Sequence, residues 1–289
     1  METINRQSFG DKMKSYRKHP GSFLLLLLVL AAAGITICVL IFLVGYILVR
    51  GLPYLKPELF AWEYTSENVS MVPALINTLL MTALALLISI PFGVGAAIYL
   101  VEYAQKGNKL VKVIRLTAET LSGIPSIIYG LFGMLFFVTS LKWGYSMLAG
   151  AMTLAIMVLP VIMRTTEEAL LCVPDSFREG SFGLGAGRLR TIFKIVLPSA
   201  IPGILSGVIL AIGRIVGETA ALIYTAGTVP GVAGILDSGR TLAIHMYSLS
   251  REGMHANEAY ATAVVLLVIV LMINGVSSLI AKKFQTPQK

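Results

Sequence analysis

Two charged residues interrupt an apolar stretch of the chain, where a charge is costly and therefore informative. Arg214 and Glu218 lie within the run from Ile195 to about Tyr224. A guanidinium presents a planar fork of donors that matches the oxygens of an oxyanion, so Arg214 would hold an anion in transit while Glu218 orients or gates it. The alternative is that the two side chains only neutralise each other, four residues apart on one helix. The sequence leaves both hypotheses open.

The second informative feature is the charged connection that precedes this run, at residues 164–194. Ser176 and Glu179 have the spacing of a capping box, which predicts a short helix that begins at Ser176. Three glycines then predict a turn before helical structure resumes over 188–196. We expect a helix-turn-helix under the membrane, with one face made of Phe177, Ser181 and Leu184.

Other residue types that carry chemistry lack the spacing that would make a site. His19, His245 and His255 are far apart, and Cys38 and Cys172 form neither a disulfide framework nor a metal knuckle, so we expect no metal site. The glycines at 183, 185 and 187 lack the preceding strand and the third glycine position of a dinucleotide fingerprint, and the chain has no phosphate-binding P-loop. No cofactor is expected in this chain.

Composition sets the class of protein that must position these residues. The chain has 289 residues, of which 56% are hydrophobic and 13% are charged, and its mean hydropathy is +0.81. This leaves too little polar surface to cover a water-soluble globule of this size. The net charge of +8 is spread between apolar runs and is not gathered into a patch, so a nucleic-acid partner is not expected.

Six apolar regions are long enough to cross a bilayer, which takes about 20 residues. We therefore predict an all-α polytopic membrane protein with about six transmembrane helices, in the runs 23–49, 68–101, 120–141, 143–163, 195–224 and 259–281. The N-terminal segment, the 102–119 and 164–194 connections and the C-terminus carry 17 of the 23 Lys and Arg residues. Both termini and the 164–194 connection are therefore predicted to be cytoplasmic.

The predicted segments follow from these runs. They are a basic cytoplasmic N-terminus at 1–22, a first span at 23–49, an extracytoplasmic connection at 50–69, a permease domain at 70–282 and a cytoplasmic tail at 283–289. Glycines at spacing four, Gly203 with Gly207 and Gly213 with Gly217, predict close helix packing. Arg115 is expected to pair with Glu119 at the surface, and Arg164 to have no role in a pathway. The long connection 225–258 should contain a short helix at 241–249, which would gate the pathway or dock an extracytoplasmic protein.

The residues of the 164–198 region resemble a family signature. Glu179-Gly-Ser, then Gly185, then Ile195-Val-Leu197-Pro198 is similar to the "EAA" loop of binding-protein-dependent ABC importer permeases. The sequence departs from that signature by Gly180 and Ser181 in place of two alanines, which are also small. The stretches 118–130 and 213–222 resemble the phosphate permeases of the PstA type, and the resemblance covers about residues 70–282.

This resemblance implies a function and a set of partners. It implies a permease subunit in the inner membrane that imports inorganic phosphate together with a second homologous permease, two ATPase subunits that bind ATP and Mg, and an extracytoplasmic phosphate-binding protein. The loop would be the coupling helix that contacts an ATPase subunit, between the fourth and fifth spans. Its residues would be Ser176, Phe177, Glu179, Gly180, Ser181, Leu184, Gly185, Ile195, Leu197 and Pro198.

Alternatives remain at this point. Sulfate or molybdate would suit the same kind of permease, because both are tetrahedral oxyanions like phosphate. An ion-coupled secondary transporter would also explain Arg214 and Glu218 but not the charged loop, and only the fifth run carries intramembrane charges. An intramembrane enzyme lacks any paired catalytic motif in a span.

Overall fold

The computed structural model describes residues 20–105 and 107–284, and no strand occurs among them. The chain divides into two compact units, residues 1–50 and 51–289. Helix α1, Pro20–Gly51, belongs to the first unit except for its last residue, and most of its large apolar side chains are exposed. Most of the predicted basic N-terminus and the end of the predicted C-terminal tail lie outside the described residues.

The second unit begins with an irregular connection and then alternates long helices with short ones. Two 3₁₀ turns, Leu52–Tyr54 and Pro57–Phe60, precede helix α2. The helices that follow are α2 (Val72–Ile98), α3 (Lys109–Ser122), α4 (Ser126–Gly133), α5 (Met147–Leu171), α6 (Asp175–Gly183), α7 (Arg188–Thr191), α8 (Leu197–Val216), α9 (Ala220–Ile223), α10 (Leu242–Glu252) and α11 (Ala256–Phe284).

Three π-helical segments extend these helices. Tyr99–Tyr103 prolongs α2, Met134–Ser140 prolongs α4, and Ile192–Val196 joins α7 to α8. With these extensions, five helices of the described chain are long and apolar enough to cross a membrane, and a bent pair makes a sixth if it counts as one span. The prediction of an all-α protein with about six spans is therefore confirmed.

Helix α5 is the centre of the second unit. It packs against α2, α3, α4 and α8, and 67% of its most apolar stretch is buried, against 22–28% for the other long helices of this unit. Its buried side chains meet the inward faces of α2 and α8, including Met81 and Ile215. The outward faces of α2 and α11 remain apolar and exposed, for example at Leu87 and Leu271, as lipid requires.

The third predicted span, 120–141, differs from the structure. Helix α3 ends at Ser122, and the chain bends by 101° before the segment Ser126–Ser140. Gly123 and Pro125 explain the break, because a proline disfavours helical conformation in the residue before it and has no N–H to donate. The predicted span therefore consists of the last turn of an amphipathic helix and a separate, shorter apolar helix.

The fifth predicted span also has different limits. Helical structure runs from Arg188 to Val216, and the backbone leaves the helix at Gly217 before α9 begins at Ala220. Glu218 is thus outside the helix that carries Arg214. The short helix predicted at 241–249 is confirmed as α10, which runs three residues further.

One of the two glycine pairs packs as predicted. A Cβ built on Gly203 or Gly207 of α8 would collide with Ala169 or Thr165 of α5. The absence of a side chain at these positions lets the two backbones approach closely. Gly213, by contrast, has open space where its Cβ would lie, so the second pair does not mark such a contact.

We predict opposite effects for alanine at these two sites. Gly207→Ala should destabilise the protein by about 1–3 kcal/mol, because the new methyl group overlaps Thr165 in a packed interface. Gly213→Ala is the matched control on the same helix and should be neutral or stabilising, since alanine favours a helix by up to about 1 kcal/mol over glycine. Thermal unfolding of the purified variants measures both effects. Equal melting temperatures for the two variants would contradict this account of the α5–α8 contact.

Candidate functional site

The charged connection between α5 and α8 forms a compact hairpin, here called the cytoplasmic hairpin (residues 172–196). Helix α6 ends at Gly183, and Gly185 adopts a left-handed backbone with φ of +80°. This conformation is easy for glycine and costly for other residues, which explains a glycine at this position of the signature. The Ala186 N–H donates to the carbonyl of Ser181 at 3.1 Å, so the turn is closed.

The predicted capping box is wrong. Helix α6 begins at Asp175, one residue earlier than predicted, with Pro174 as its N-cap and no side-chain cap hydrogen bond. Proline at the N-cap position fixes φ there, and Asp175 in the first turn suits the positive end of the helix dipole. Ser176 and Glu179 are both exposed.

The predicted shared face of the hairpin is also only partly correct. Phe177 and Leu184 are exposed, at 50% and 91%. Ser181 instead points inwards, where its hydroxyl shares a buried 2.8 Å hydrogen bond with the hydroxyl of Thr191. Because this bond joins α6 to α7, Ser181 holds the hairpin together while its apolar neighbours remain free for contact. Exposed apolar side chains on the same hairpin also include Phe182, Leu189 and Phe193.

The other residues of the predicted loop are at the surface or close to it. Gly180, Gly185 and Pro198 are exposed, and Ile195 and Leu197 are half-buried. Beside the turn lies an open cavity of about 300 Å³. Two cations line it, together with small and apolar groups: Ser181, Leu184, Gly185, Ala186, Arg190, Lys194 and Ile195.

Arg178 anchors the hairpin to two long helices, and sequence reasoning missed this role. Its guanidinium bonds Glu102, at the end of α2, at 2.8 and 3.1 Å. It also donates to the carbonyls of Leu170 and Val173, at 2.9 and 2.7 Å. Both charged side chains are largely buried, at 14% and 9% exposed. The arginine thus connects α6 to the cytoplasmic ends of both α2 and α5.

A second ion pair connects α3 to α5. Arg115 pairs with Glu167, a largely buried side chain of α5, and no ion pair joins it to Glu119 as the sequence suggested. The prediction of an Arg115–Glu119 pair is therefore wrong. Arg164 pairs with Glu168 of the same helix at 3.2 Å, and both side chains are more than 60% exposed. This is the surface pair that the sequence led us to expect for Arg164.

Arg214 and Glu218 do not form the ion pair that the sequence left open as the alternative. Arg214 lies half-buried in the last turn of α8, and its side chain forms no ion pair or hydrogen bond with any residue in the described part of the chain. Glu218 is buried, and its carboxylate accepts the Ala221 N–H at 3.1 Å. The carboxylate therefore satisfies a free donor of α9, as an N-terminal cap does, and the arginine keeps an unneutralised charge.

Helix α9, which Glu218 caps, is packed closely against α4. A Cβ on Gly130 would lie 2.7 Å from the Cα of Ala221, so the contact requires a glycine. One on Gly133 would overlap Thr153 and Thr225. The two short segments thus form a tight layer on α5, beside the end of α8 that carries Arg214. No cluster of three or more His, Cys, Asp or Glu side chains able to hold a metal ion occurs among residues 20–105 and 107–284.

Comparison with known proteins places this geometry in context. Residues 89–286 match the model of the family described as binding-protein-dependent transport system inner membrane component. The chain is 36% identical to the probable ABC transporter permease protein YqgI of Bacillus subtilis, covering 84% of this chain and 88% of that one. It is 35% identical to the phosphate transport system permease protein PstA 1 of Mycobacterium tuberculosis, over 72% and 68% of the two chains. Identity with PstA of Pasteurella multocida is 41%, over 62% and 64%.

Solved structures share the fold. A chain of a bacterial ABC transporter that imports alginate aligns with a TM-score of 0.69 at 16% identity, covering 94% of this chain and all of that one. A chain of the MetNI methionine ABC transporter in an inward-facing conformation aligns with a TM-score of 0.57 at 21% identity, covering 84% and 98%. At these identities the likeness concerns the fold alone.

The Arg178 anchor leads to a prediction. Arg178→Gln should loosen the cytoplasmic hairpin, because Glu102 would keep a buried charge without its partner, which costs about 3–5 kcal/mol in such sites. Amide hydrogen exchange over residues 173–183 should speed up accordingly. Arg164→Gln is the control, since an exposed pair contributes at most about 1 kcal/mol. Unchanged exchange in Arg178→Gln would show that the ion pair does not hold the hairpin.

Proposed function

This chain belongs to the family of binding-protein-dependent transport system inner membrane components, and we propose that it is the permease subunit of an ATP-driven importer of inorganic phosphate. As an ABC transporter permease it is a multi-pass protein of the inner membrane and not a member of a catalytic family. In the proposed complex, it pairs with a second permease like itself, two ATPase subunits supply the energy, and an extracytoplasmic phosphate-binding protein delivers the substrate.

The observation that carries the assignment to phosphate is the set of relatives. Proteins named phosphate transport system permeases align with this chain at 33–41% identity, and four of them cover more than two thirds of it at 33–36% identity. Sulfate and molybdate permeases are the nearest alternatives by chemistry, and nothing in the site favours them over phosphate. An ion-coupled secondary transporter would not explain why the cytoplasmic hairpin exposes apolar side chains.

The cytoplasmic hairpin supports the coupling role. It combines a firmly anchored backbone with exposed apolar side chains, Phe177, Phe182 and Leu184, which water-exposed loops normally avoid in such a cluster. An ATPase subunit docked on this surface would bury them. Because Arg178 bonds both α2 and α5, a displacement of α6 would reach both helices.

The free charge on Arg214 supports a role in the pathway. It lies 16 residues beyond Pro198, so the rise of 1.5 Å per residue puts it about 24 Å from that end of α8. With Glu218 engaged by α9, the guanidinium has its donors available for phosphate oxygens. One unneutralised arginine holds an anion weakly enough to release it, which conduction requires. Under this proposal Glu218 acts indirectly, since it fixes the backbone beside Arg214.

The first test is ATP-dependent uptake of labelled phosphate into vesicles that carry the complete complex. Arg214→Gln should lower uptake at limiting phosphate about tenfold or more, because a hydrogen bond to a charged group contributes about 1.5–3 kcal/mol. Arg251→Gln, an exposed arginine at the end of α10, is the control and should transport normally. Uptake that needs no ATP, or that prefers sulfate offered in parallel, would refute the proposed function. Normal uptake by Arg214→Gln would refute only the role of that residue.

A charge reversal tests the coupling surface. Glu179→Lys should abolish phosphate-dependent ATP hydrolysis and uptake, because the ATPase subunit would then face a positive charge in place of the exposed carboxylate. Glu252→Lys reverses an exposed charge on α10 and should have no effect. Co-purification of the ATPase subunits and hydrogen exchange of the hairpin report assembly and folding separately. Full coupling in Glu179→Lys would exclude this residue from the interface.

A further inference from the structure

The segment that follows α9 is fixed in place by a buried amide. We call residues 225–241 the outer segment, since they lie at the end of α8 opposite the cytoplasmic hairpin. The Asn77 side chain, fully buried in α2, accepts the Ala233 N–H at 2.9 Å and donates to the carbonyls of Gly231 and Arg240 at 2.8 and 3.1 Å. The Thr78 hydroxyl accepts the Leu242 N–H at 2.8 Å. The backbone around Arg240 is therefore held from both sides.

Arg240 is a buried cation without an anionic partner. Its side chain is only 5% exposed, and its guanidinium carbon lies 4.5 Å from the centre of the Tyr64 ring. The ring face attracts the cation. The ring covers only one face of the planar guanidinium, so the N–H groups at the edge of the guanidinium stay available. Within the described residues, the guanidinium makes no ion pair or hydrogen bond, and Nη2 is fully buried without a partner.

Two neighbouring side chains also have buried polar atoms without a hydrogen-bond partner. Thr241 and His245 are buried, and within the described chain the Thr241 hydroxyl has no hydrogen-bond partner. Neither ring nitrogen of His245 makes a hydrogen bond of good geometry, although the Val69 backbone lies near the ring. Burial, together with the Arg240 charge, lowers the pKa of His245 to about 3, although the Val69 backbone acts in the opposite direction. The imidazole is therefore neutral at physiological pH and offers one N–H, and the cluster keeps a net charge of about +1.

Buried groups of this kind are rare and require an explanation. More than 90% of buried polar groups in proteins have a partner, and a bound water or ion is one explanation for an unmet one. Here the unmet groups are a guanidinium nitrogen that donates, the two nitrogens of a neutral imidazole, one a donor and one an acceptor, and a hydroxyl that can donate or accept. Arg240 and His245 both pack against the Tyr64 ring, so these groups lie near a fixed positive charge. The species that balances the uncompensated charge of Arg240 is an acceptor with negative charge.

We propose that Arg240, Thr241 and His245 form a binding site for a small inorganic anion under the outer segment. The guanidinium supplies the charge and two or more donors, and the threonine hydroxyl adds a third. Asn77 positions the backbone of Arg240 through a hydrogen bond to its carbonyl, and Tyr64 positions the guanidinium by packing its ring against it. The proposal does not depend on phosphate as the transported substrate, and the site is separate from Arg214, which lies in α8.

The test is anion-dependent stability of the purified complex in lipid nanodiscs. Thermal unfolding of the permease is followed in gluconate while phosphate, sulfate or chloride replaces it at constant ionic strength. At least one of these anions should raise the melting temperature of the wild-type protein along a saturable curve. Arg240→Met should abolish the increase or raise the half-saturating concentration at least about tenfold. Arg251→Met, on the exposed end of the neighbouring helix, should keep it.

Two further variants separate this site from other causes. Arg214→Gln should retain the increase if the anion binds at Arg240, whereas loss of the increase in Arg214→Gln and its retention in Arg240→Met would overturn the proposal. Thr241→Val removes one donor at nearly constant volume. If Arg240→Met fails to fold, this variant provides the same test, and its half-saturating anion concentration should be several-fold higher than that of the wild-type protein. A wild-type protein indifferent to all three anions would also overturn the proposal and assign water to the cluster.

Discussion

The constraint on which this structure depends is that lipid offers no hydrogen bonds to a backbone. Every N–H and C=O inside the hydrocarbon core must find its partner within the protein, so the long segments are helical. Where the chain leaves a helix at membrane depth, a substitute is needed. After α8, that substitute is Glu218, which accepts a free N–H of α9. A residue that looked in sequence like a charge in a pathway thus meets a requirement of the backbone, and its neighbour Arg214 is left with a free charge.

A second consequence of the same constraint is the position of the two ion pairs whose carboxylate is largely buried. Arg178 with Glu102 and Arg115 with Glu167 lie where the long helices end, and each pair spans two elements that are distant in sequence. Charges at this depth are costly alone and acceptable only in pairs with further hydrogen bonds. Arg178 fulfils this condition with two backbone carbonyls as well as a carboxylate, and the hairpin gains a fixed orientation that its own short helices would not provide.

Sequence reasoning predicted the helical class, the approximate spans and the turn at Gly185, because hydrophobic length and glycine conformation are local properties. It placed the capping box and the Arg115 partner incorrectly and left open an Arg214–Glu218 pair that does not form, since each depends on where a helix begins or ends. A shift of one residue at Asp175 removed the predicted cap, and a break at Gly217 separated two residues that a continuous helix would join. The Arg178–Glu102 contact joins residues 76 positions apart, and a single sequence contains no signal for such a distance.

The contact of α8 with α5 through Gly203 and Gly207 has a mechanical meaning. Helices that interlock with a glycine of one against a small side chain of the other resist sliding, and Arg178 fastens α6 to the end of α5, so we expect these elements to move together as one lever. Its long arm runs from the cytoplasmic hairpin to Arg214, about 24 Å by helical rise. A tilt of about 5° at the hairpin would displace the arginine by roughly 2 Å over that arm. Under the proposed role of Arg214, a displacement of that size is enough to break or to make a hydrogen bond to an anion, so a small rotation at one face of the membrane would be converted into a change of affinity near the other.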